Sequence, residues 1–340
     1  MTPPQAAVPV RAEAGLARKG CLHAPPRAAR RLSARLAGAM LAATAAAAAL
    51  APTLATAAES HALLMWVGRY GAPELNLPGI EHDAARAREM AAALGVPPQR
   101  RTEVSEEALT LPGIVEAFAT LERRVQPGDR VLVYYSGHGR QIEGQSPGSR
   151  CSEGIVTQDA GLYLDIALER TLQRLAARAG QVLMFNDSCH AGGAATKSLG
   201  RGLAPPPDDG GEAEVPKVFP GALRAVARPE DPRACGDAVN KSMGGLGGAL
   251  GGSAPRANWL YVAAAAPDEI AYAGRNGSRA TAAWHACLTR RAAAPGAERG
   301  FTPATGEALR RCAQTLLDAR PGRRQTVTLV GDPGFQLGWR

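Results

Sequence analysis

Short apolar runs alternate along this chain with segments whose apolar residues recur at helical spacing, and that alternation constrains the fold more than any other feature. The runs are Ala62–Val67 (ALLMWV), Val131–Tyr135 (VLVYY), Val182–Phe185 (VLMF), Trp259–Ala263 (WLYVA) and Thr326–Val330. They are nearly continuous rather than every-other-residue, so each predicts a strand covered on both faces. Between them, Ala87, Met90, Ala91 and Leu94 line one face of a helix over His82–Leu94, which Gly95 ends. Ile114, Phe118, Leu121 and Val125 mark a second helix, stopped by Pro127-Gly128. Asp165 is the expected cap of a third, with Leu168, Leu172, Leu175 and Ala179 inward. Two more helical patterns cover Ala280–Arg291 and Thr302–Leu317; in the second, Thr302 caps and Pro303 takes the first helical position. Strand–helix alternation of this kind implies an α/β fold, a mainly parallel sheet between two layers of helices.

Two stretches break the pattern. Ala191–Arg256 contains APPPDDGGEAEVPKVFPG and SMGGLGGALGGSAPR, with little periodicity. It is too long for a structural loop, and residues 194–256 are expected to be a flexible Gly/Pro-rich linker. Residues 1–58 are the other stretch. They carry seven basic side chains against the single acid Glu13, and so hold six of the eight net positive charges. Arg30, Arg31 and Arg35 precede an Ala/Leu-rich run that ends in Ala55-Thr56-Ala57, the layout of a secretory signal peptide. The expected mature protein is 59–340, periplasmic or secreted, with no stable membrane anchor after cleavage. Because the positive charge sits in the leader, no nucleic-acid partner is inferred.

An exported chain meets an oxidising compartment. Five cysteines follow the leader: Cys151, Cys189, Cys235, Cys287 and Cys312. Two disulfides would leave one thiol over. Four cysteines allow three connectivities; Cys287 with Cys312, on neighbouring helical patterns, is the preferred bridge.

The chemistry lies at two strand ends. VLVYY runs into Ser136-Gly137-His138-Gly139, and VLMF into Asn186-Asp187-Ser188-Cys189-His190. Parallel sheets present their ligand sites beyond the carboxyl ends of the strands. If these two strands are neighbours, His138 and Cys189 emerge side by side. An imidazole beside a thiol generates a thiolate nucleophile and protonates a leaving group. Gly139 lets its backbone N–H approach a substrate carbonyl, and with the N–H of Cys189 it forms a candidate oxyanion hole. A zinc site from His138, Cys189 and His190 lacks a fourth ligand at metal-site spacing. No metal and no cofactor are expected.

YYSGHG followed by DSCHAGG, with the cysteine 51 residues after the histidine, resembles the caspase-like cysteine peptidases in their metacaspase-type bacterial form. Leu77–Ala84, the Gly161–Asp165 turn and WLYVAAAAPDEIAYAG resemble further family segments. The resemblance implies a three-layer αβα caspase-hemoglobinase fold with a mainly parallel six-stranded sheet. It implies His138 as general acid/base, Cys189 as nucleophile, and a primary pocket of Asp83, Ser136 and Asp187 that selects Arg or Lys before the scissile bond. Two carboxylates facing one cation make strong charge-assisted hydrogen bonds. The family's pocket Cys and Asn are Ile80 and His82 here, and Ala160 after Asp159 leaves the family's calcium cluster incomplete. The function expected is a cysteine endopeptidase acting on protein or peptide substrates, self-processing within Lys197–Arg256. The alternatives are a catalytically silent caspase-like binding module and a non-peptidase thiol hydrolase on the same scaffold.

Overall fold

The computed structural model describes residues 57–143, 151–189, 213–219, 258–266, 269–292, 305–320, 322 and 324–338. The leader and most of the 194–256 span therefore lie outside the described residues. Among the described residues, no helix is long and apolar enough to cross a membrane.

In chain order the strands are β1 (Ser60–Trp66), β2 (Arg101–Ser105), β3 (Arg130–Ser136), β4 (Gly139–Glu143), β5 (Cys151–Val156) and β6 (Leu162–Leu164). They continue as β7 (Gln181–Asp187), β8 (Glu214–Pro216), β9 (Trp259–Ala263), β10 (Tyr272–Gly274), β11 (Gly277–Ser278) and β12 (Thr328–Gly331). The helices are α1 (Ile80–Ala93), α2 (Leu111–Arg124), α3 (Asp165–Ala176), α4 (Arg279–Ala292) and α5 (Gly306–Asp318). The main sheet has six strands in the order β12-β9-β7-β3-β1-β2. All neighbours are parallel except β12, which runs antiparallel to β9 at one edge. Helices α1, α4 and α5 pack together as one layer, α2 and α3 as the other. This is the expected three-layer fold.

The central strands behave as their composition requires. β1 and β9 are buried along their whole length, and β3 and β7 beyond their first residue. β2 differs: Arg-Thr-Glu-Val-Ser is only half-buried at the sheet edge, where Arg88 of α1 pairs with Glu103 at 2.7 Å. It has no apolar run, so hydropathy gave no sign of it. The short antiparallel sheets β4-β5-β6 and β8-β10-β11 escaped notice for the same reason.

Helix ends obey local chemistry with two corrections. Thr110 caps α2 by accepting the Gly113 N–H at 3.1 Å. Asp165 is the first residue of α3 rather than its cap, and accepts the Ile166 N–H at 2.8 Å. For α5 the cap is Thr305, not Thr302: its hydroxyl accepts the Ala308 N–H at 3.1 Å. Cys287 and Cys312 join α4 to α5 as a disulfide. Closing a loop of 25 residues is worth roughly 3–4 kcal/mol of unfolded-state entropy.

Candidate active site

Strands β3 and β7 are adjacent and parallel, with Ser136 opposite Asp187. His138 and Cys189 each lie two residues further on, so both leave the sheet at the same carboxyl edge. Two independent apolar runs thus deliver an imidazole and a thiol to one place.

The histidine is held on several sides. Its Nε2 lies 2.7 Å from the Leu75 carbonyl oxygen. A carbonyl only accepts, so Nε2 carries the proton and Nδ1 keeps the lone pair. Nδ1 is buried and makes no hydrogen bond. The His138 backbone N–H donates to the Tyr70 hydroxyl at 2.8 Å, and the Tyr70 ring tilts over the imidazole at 4.7 Å. Burial lowers the His138 pKa to about 4, against the opposing pull of the Leu75 and Lys217 carbonyls. Cys189 is 5 % exposed, stands outside any disulfide, and directs its thiol at the Glu269 carbonyl, 3.6 Å away. Gly139 has no room for a side chain: a Cβ there would fall 2.0 Å from the Cys189 carbonyl oxygen. The glycine therefore serves close packing against the cysteine loop as well as access to its own N–H.

Asp83, Ser136 and Asp187 are each fully buried and converge. Asp83 stands in the first turn of α1. That turn is pressed against the β10–β11 connection because Gly79 (φ 71°) precedes it, where a Cβ would meet the Gly274 carbonyl at 2.3 Å. Asp83 accepts the Ser278 N–H at 2.8 Å and the Ser136 hydroxyl at 2.9 Å, and also takes the Ser278 hydroxyl. Burial raises its pKa, outweighing the nearby Lys217 cation. Asp187 accepts the Thr281 hydroxyl at 2.5 Å and the Thr281 N–H at 3.2 Å.

Two cations meet this pocket: Arg86, whose Nη1 lies 3.5 Å from Asp83 at its rim, and Lys217, which is fully buried. Its Nζ pairs with Asp187 at 2.9 Å and donates to the hydroxyls of Ser136 at 2.9 Å and Ser278 at 2.8 Å. The ammonium thus makes two hydrogen bonds to hydroxyls and one ion-pair contact, with Asp187 Oδ1, that lacks hydrogen-bond geometry. Asp187 contacts the ammonium directly, while Asp83 acts one hydroxyl away. Ile80 and His82, at the positions where the family has Cys and Asn, do not join: Ile80 is core and His82 is exposed.

The backbone around Lys217 is seated as firmly as its side chain. β8 pairs antiparallel with β10, Val215 opposite Ala273, and the Lys217 N–H continues the ladder to the Ala271 carbonyl at 2.9 Å. The Lys217 carbonyl accepts the Gly139 N–H at 2.9 Å, and the Phe219 N–H returns to the Gly139 carbonyl at 3.0 Å. The Phe219 ring stands edge-on to His138 at 5.8 Å. The Lys217 carbonyl and the Phe219 N–H thus both bind the Gly139 backbone, with the Phe219 ring against the histidine. The lysine enters the acidic pocket, and an extended strand leads up to it.

Elsewhere among the described residues, Glu59, His61 and Asp129 bring one ligand atom each within 4.8 Å of one another. These groups are already engaged, Glu59 with Arg100 and His61 with Asp129. They lie by the amino ends of β1 and β3, away from the thiol.

The caspase domain family matches residues 59–320 of this sequence. The chain belongs to that family, whose members are cysteine peptidases. No curated protein matches it. Among solved structures, protein GSU0716 from Geobacter sulfurreducens is similar at 18 % identity and a TM-score of 0.52, covering 82 % of this chain and 96 % of that one. Caspase-1 from Spodoptera frugiperda is similar at 14 % identity and a TM-score of 0.48, covering 81 % and 87 %. The Drosophila initiator caspase Dronc is similar at 9 % identity and a TM-score of 0.47, covering 82 % and 80 %.

Sequence reasoning named His138, Gly139, Cys189, Asp83, Ser136 and Asp187, and these residues do gather at one edge of the sheet. It missed Tyr70 and the Leu75 carbonyl, which follow β1, and Ser278 and Thr281, which come from β11 and the start of α4; none of them carries a motif. Lys217 stood among several linker cations, with nothing local to distinguish it.

Proposed function

We propose that this protein is a cysteine endopeptidase cleaving after lysine or arginine, with Cys189 as nucleophile and His138 as general base and acid. The observation that carries this reading is Lys217. A lysine of the chain itself occupies the acidic pocket while its carbonyl accepts from Gly139, the arrangement a substrate needs.

The chemistry then runs as follows. His138 Nδ1 takes the thiol proton. The Cys189 sulfur bonds to the carbonyl carbon, and the oxyanion rests on the N–H groups of Gly139 and Cys189. The imidazolium returns the proton to the leaving nitrogen as the C–N bond breaks. Water, deprotonated by the same imidazole, releases the thioester. Asp187, Ser136 and Asp83 hold the lysine or arginine before the scissile bond.

The same observation supports self-processing and selects the bond: Lys217–Val218. Until it is cut or displaced, the segment fills the groove, so the intact chain is self-blocked. The reading of the leader places the enzyme in the periplasm or outside the cell, and the Cys287–Cys312 disulfide accords with an oxidising compartment.

The test uses purified full-length protein with fluorogenic peptides ending in Lys, Arg or Asp, beside Cys189→Ala. Hydrolysis of the basic peptides is expected, with loss of about 1000-fold or more in the variant. The new fragment from wild type is expected to begin at Val218. No hydrolysis of any peptide favours a silent binding module, and preference for Asp refutes the pocket assignment.

A further inference from the structure

Four residues of the seated segment, Glu214 to Lys217, run along β10 before the candidate scissile bond, and the first of them is read by a specific cation. Glu214 Oε1 accepts from Arg279 Nε at 2.5 Å, and both side chains are largely buried, 17 % and 10 % exposed. We propose that Arg279 is a second specificity determinant, selecting substrates with an acidic residue three positions before the cleaved lysine or arginine. The proposal rests on the peptidase reading of the site and extends it to the substrate class.

Three features argue that the arginine is there for a substrate carboxylate. First, Arg279 opens helix α4, whose first turn holds no acidic residue. A cation at that end opposes the helix dipole, so helix formation gives no reason for it. Second, the contact is held by the substrate-like strand register. Glu214 lies opposite Gly274, in the same ladder that places Lys217 against Ala271 and Gly139. A peptide entering in this register presents its own side chain to Arg279. Third, the site is walled. A Cβ on Gly322 would come within 3.3 Å of an Arg279 terminal nitrogen, which confines the guanidinium on that side. Val215, in contrast, lines an open cavity of about 550 Å³ together with Trp66, Leu77, Glu81 and Glu106. That mixed lining has no single group suited to one side chain.

Arg279 does not touch the thiol or the imidazole, so it is a specificity residue rather than a catalytic one. A near-buried, charge-assisted pair against a neutral isostere is expected to be worth about 10-fold in kcat/KM.

The experiment measures kcat/KM of the full-length enzyme on three lysyl peptides, Glu-Val-Pro-Lys, Gln-Val-Pro-Lys and Arg-Val-Pro-Lys, each with a fluorogenic leaving group. Wild type is expected to favour Glu over Gln by about 10-fold and to disfavour Arg further. Arg279→Gln should bring the Glu/Gln ratio to about 1, chiefly by lowering the Glu peptide's value. Arg279→Lys should retain a preference for Glu, and Arg279→Glu should reverse it towards Arg. A purely structural salt bridge would lower all three peptides together without changing their ratio. Wild type cleaving all three equally overturns the inference and leaves the peptidase reading standing. Wild type cleaving none overturns both.

Discussion

The two ends of strand β3 both bury carboxylates, and they satisfy them in opposite ways. At the amino end, Asp129 accepts the Glu59 and Gln126 N–H groups at 2.8 Å each and the His61 ring at 3.0 Å. These partners belong to the neighbouring turn and strand, and with burial acting against them they hold the Asp129 pKa below its ordinary value. At the carboxyl end, Asp187 and Asp83 gather around a lysine from a distant segment, and burial keeps the Asp83 pKa raised. A buried acid satisfied by its own surroundings is scaffold. An acid pocket completed by a cation from a separate segment is, on the proposed reading, a binding site. The difference lies in who supplies the partner and in depth: Asp129 is covered but lies near the surface, whereas Asp83 is deeply enclosed.

The sharpest way to break this contrast is a matched pair of substitutions. Asp187→Ala should lower kcat/KM on lysyl peptides about 1000-fold, since it leaves a buried ammonium without its counter-charge. Asp129→Asn should cost about 2–3 kcal/mol in urea unfolding with little change in kcat/KM. Equal effects on activity from both would dissolve the distinction.

The two ends also titrate in different windows. His138 is depressed to about 4 in the intact chain, against about 6.5 when unfolded. Above pH 6.5 both states are neutral and its stabilising preference for the neutral ring is fully present. As pH falls from 6.5 to 4 the unfolded chain takes the proton first, and about 3 kcal/mol is lost. The lowered Asp129 acts below that window: its stabilisation is present above about 3.8 and disappears as pH falls through its folded value. Urea midpoints against pH for Cys189→Ala and for Cys189→Ala/His138→Gln isolate the histidine contribution. A flat difference between them would show that the ring is not desolvated.

Vacating the pocket is the next test in size. Lys217→Gln should remain uncut at position 217, yet hydrolyse added peptides from the start, about 100-fold faster than intact wild type, because the tethered competitor has lost its anchor. Progress curves from freshly purified protein show this directly. A variant that stays as slow as the intact chain would mean that cutting, rather than release of Lys217, opens the groove. The smallest expected effect belongs to the scaffold alone. Thr305→Ala removes the α5 cap and should cost about 1 kcal/mol of stability with unchanged peptide specificity.

The carboxyl end of β3 was more legible in the sequence than its amino end. VLVYY and VLMF declared themselves as strands by composition, and the residues after them declared the chemistry. Asp129 sits in a Pro-Gly-Asp turn and gave no sign of its burial. Lys217 shows the limit most clearly. Its neighbourhood, Glu-Val-Pro-Lys-Val-Phe, lies within a Gly/Pro-rich span that reads as linker, yet 213–219 are described with β8 paired to β10.

What the sequence determined by itself was the order of the parts. Apolar runs of strand length, helical periodicities and two strand-end motifs are local properties, and local properties are written in consecutive residues. They fix a parallel α/β sheet and put His138 and Cys189 beyond two of its strands. Only the tertiary structure decided which partners meet. The Leu75 carbonyl orients the imidazole across 63 residues, Ser278 reaches Asp83 across 195, and Lys217 reaches Ser136 across 81. Such contacts depend on the chain folding back in three dimensions to satisfy buried charge. No spacing along the chain records which distant ammonium will be the one within 2.9 Å of Asp187.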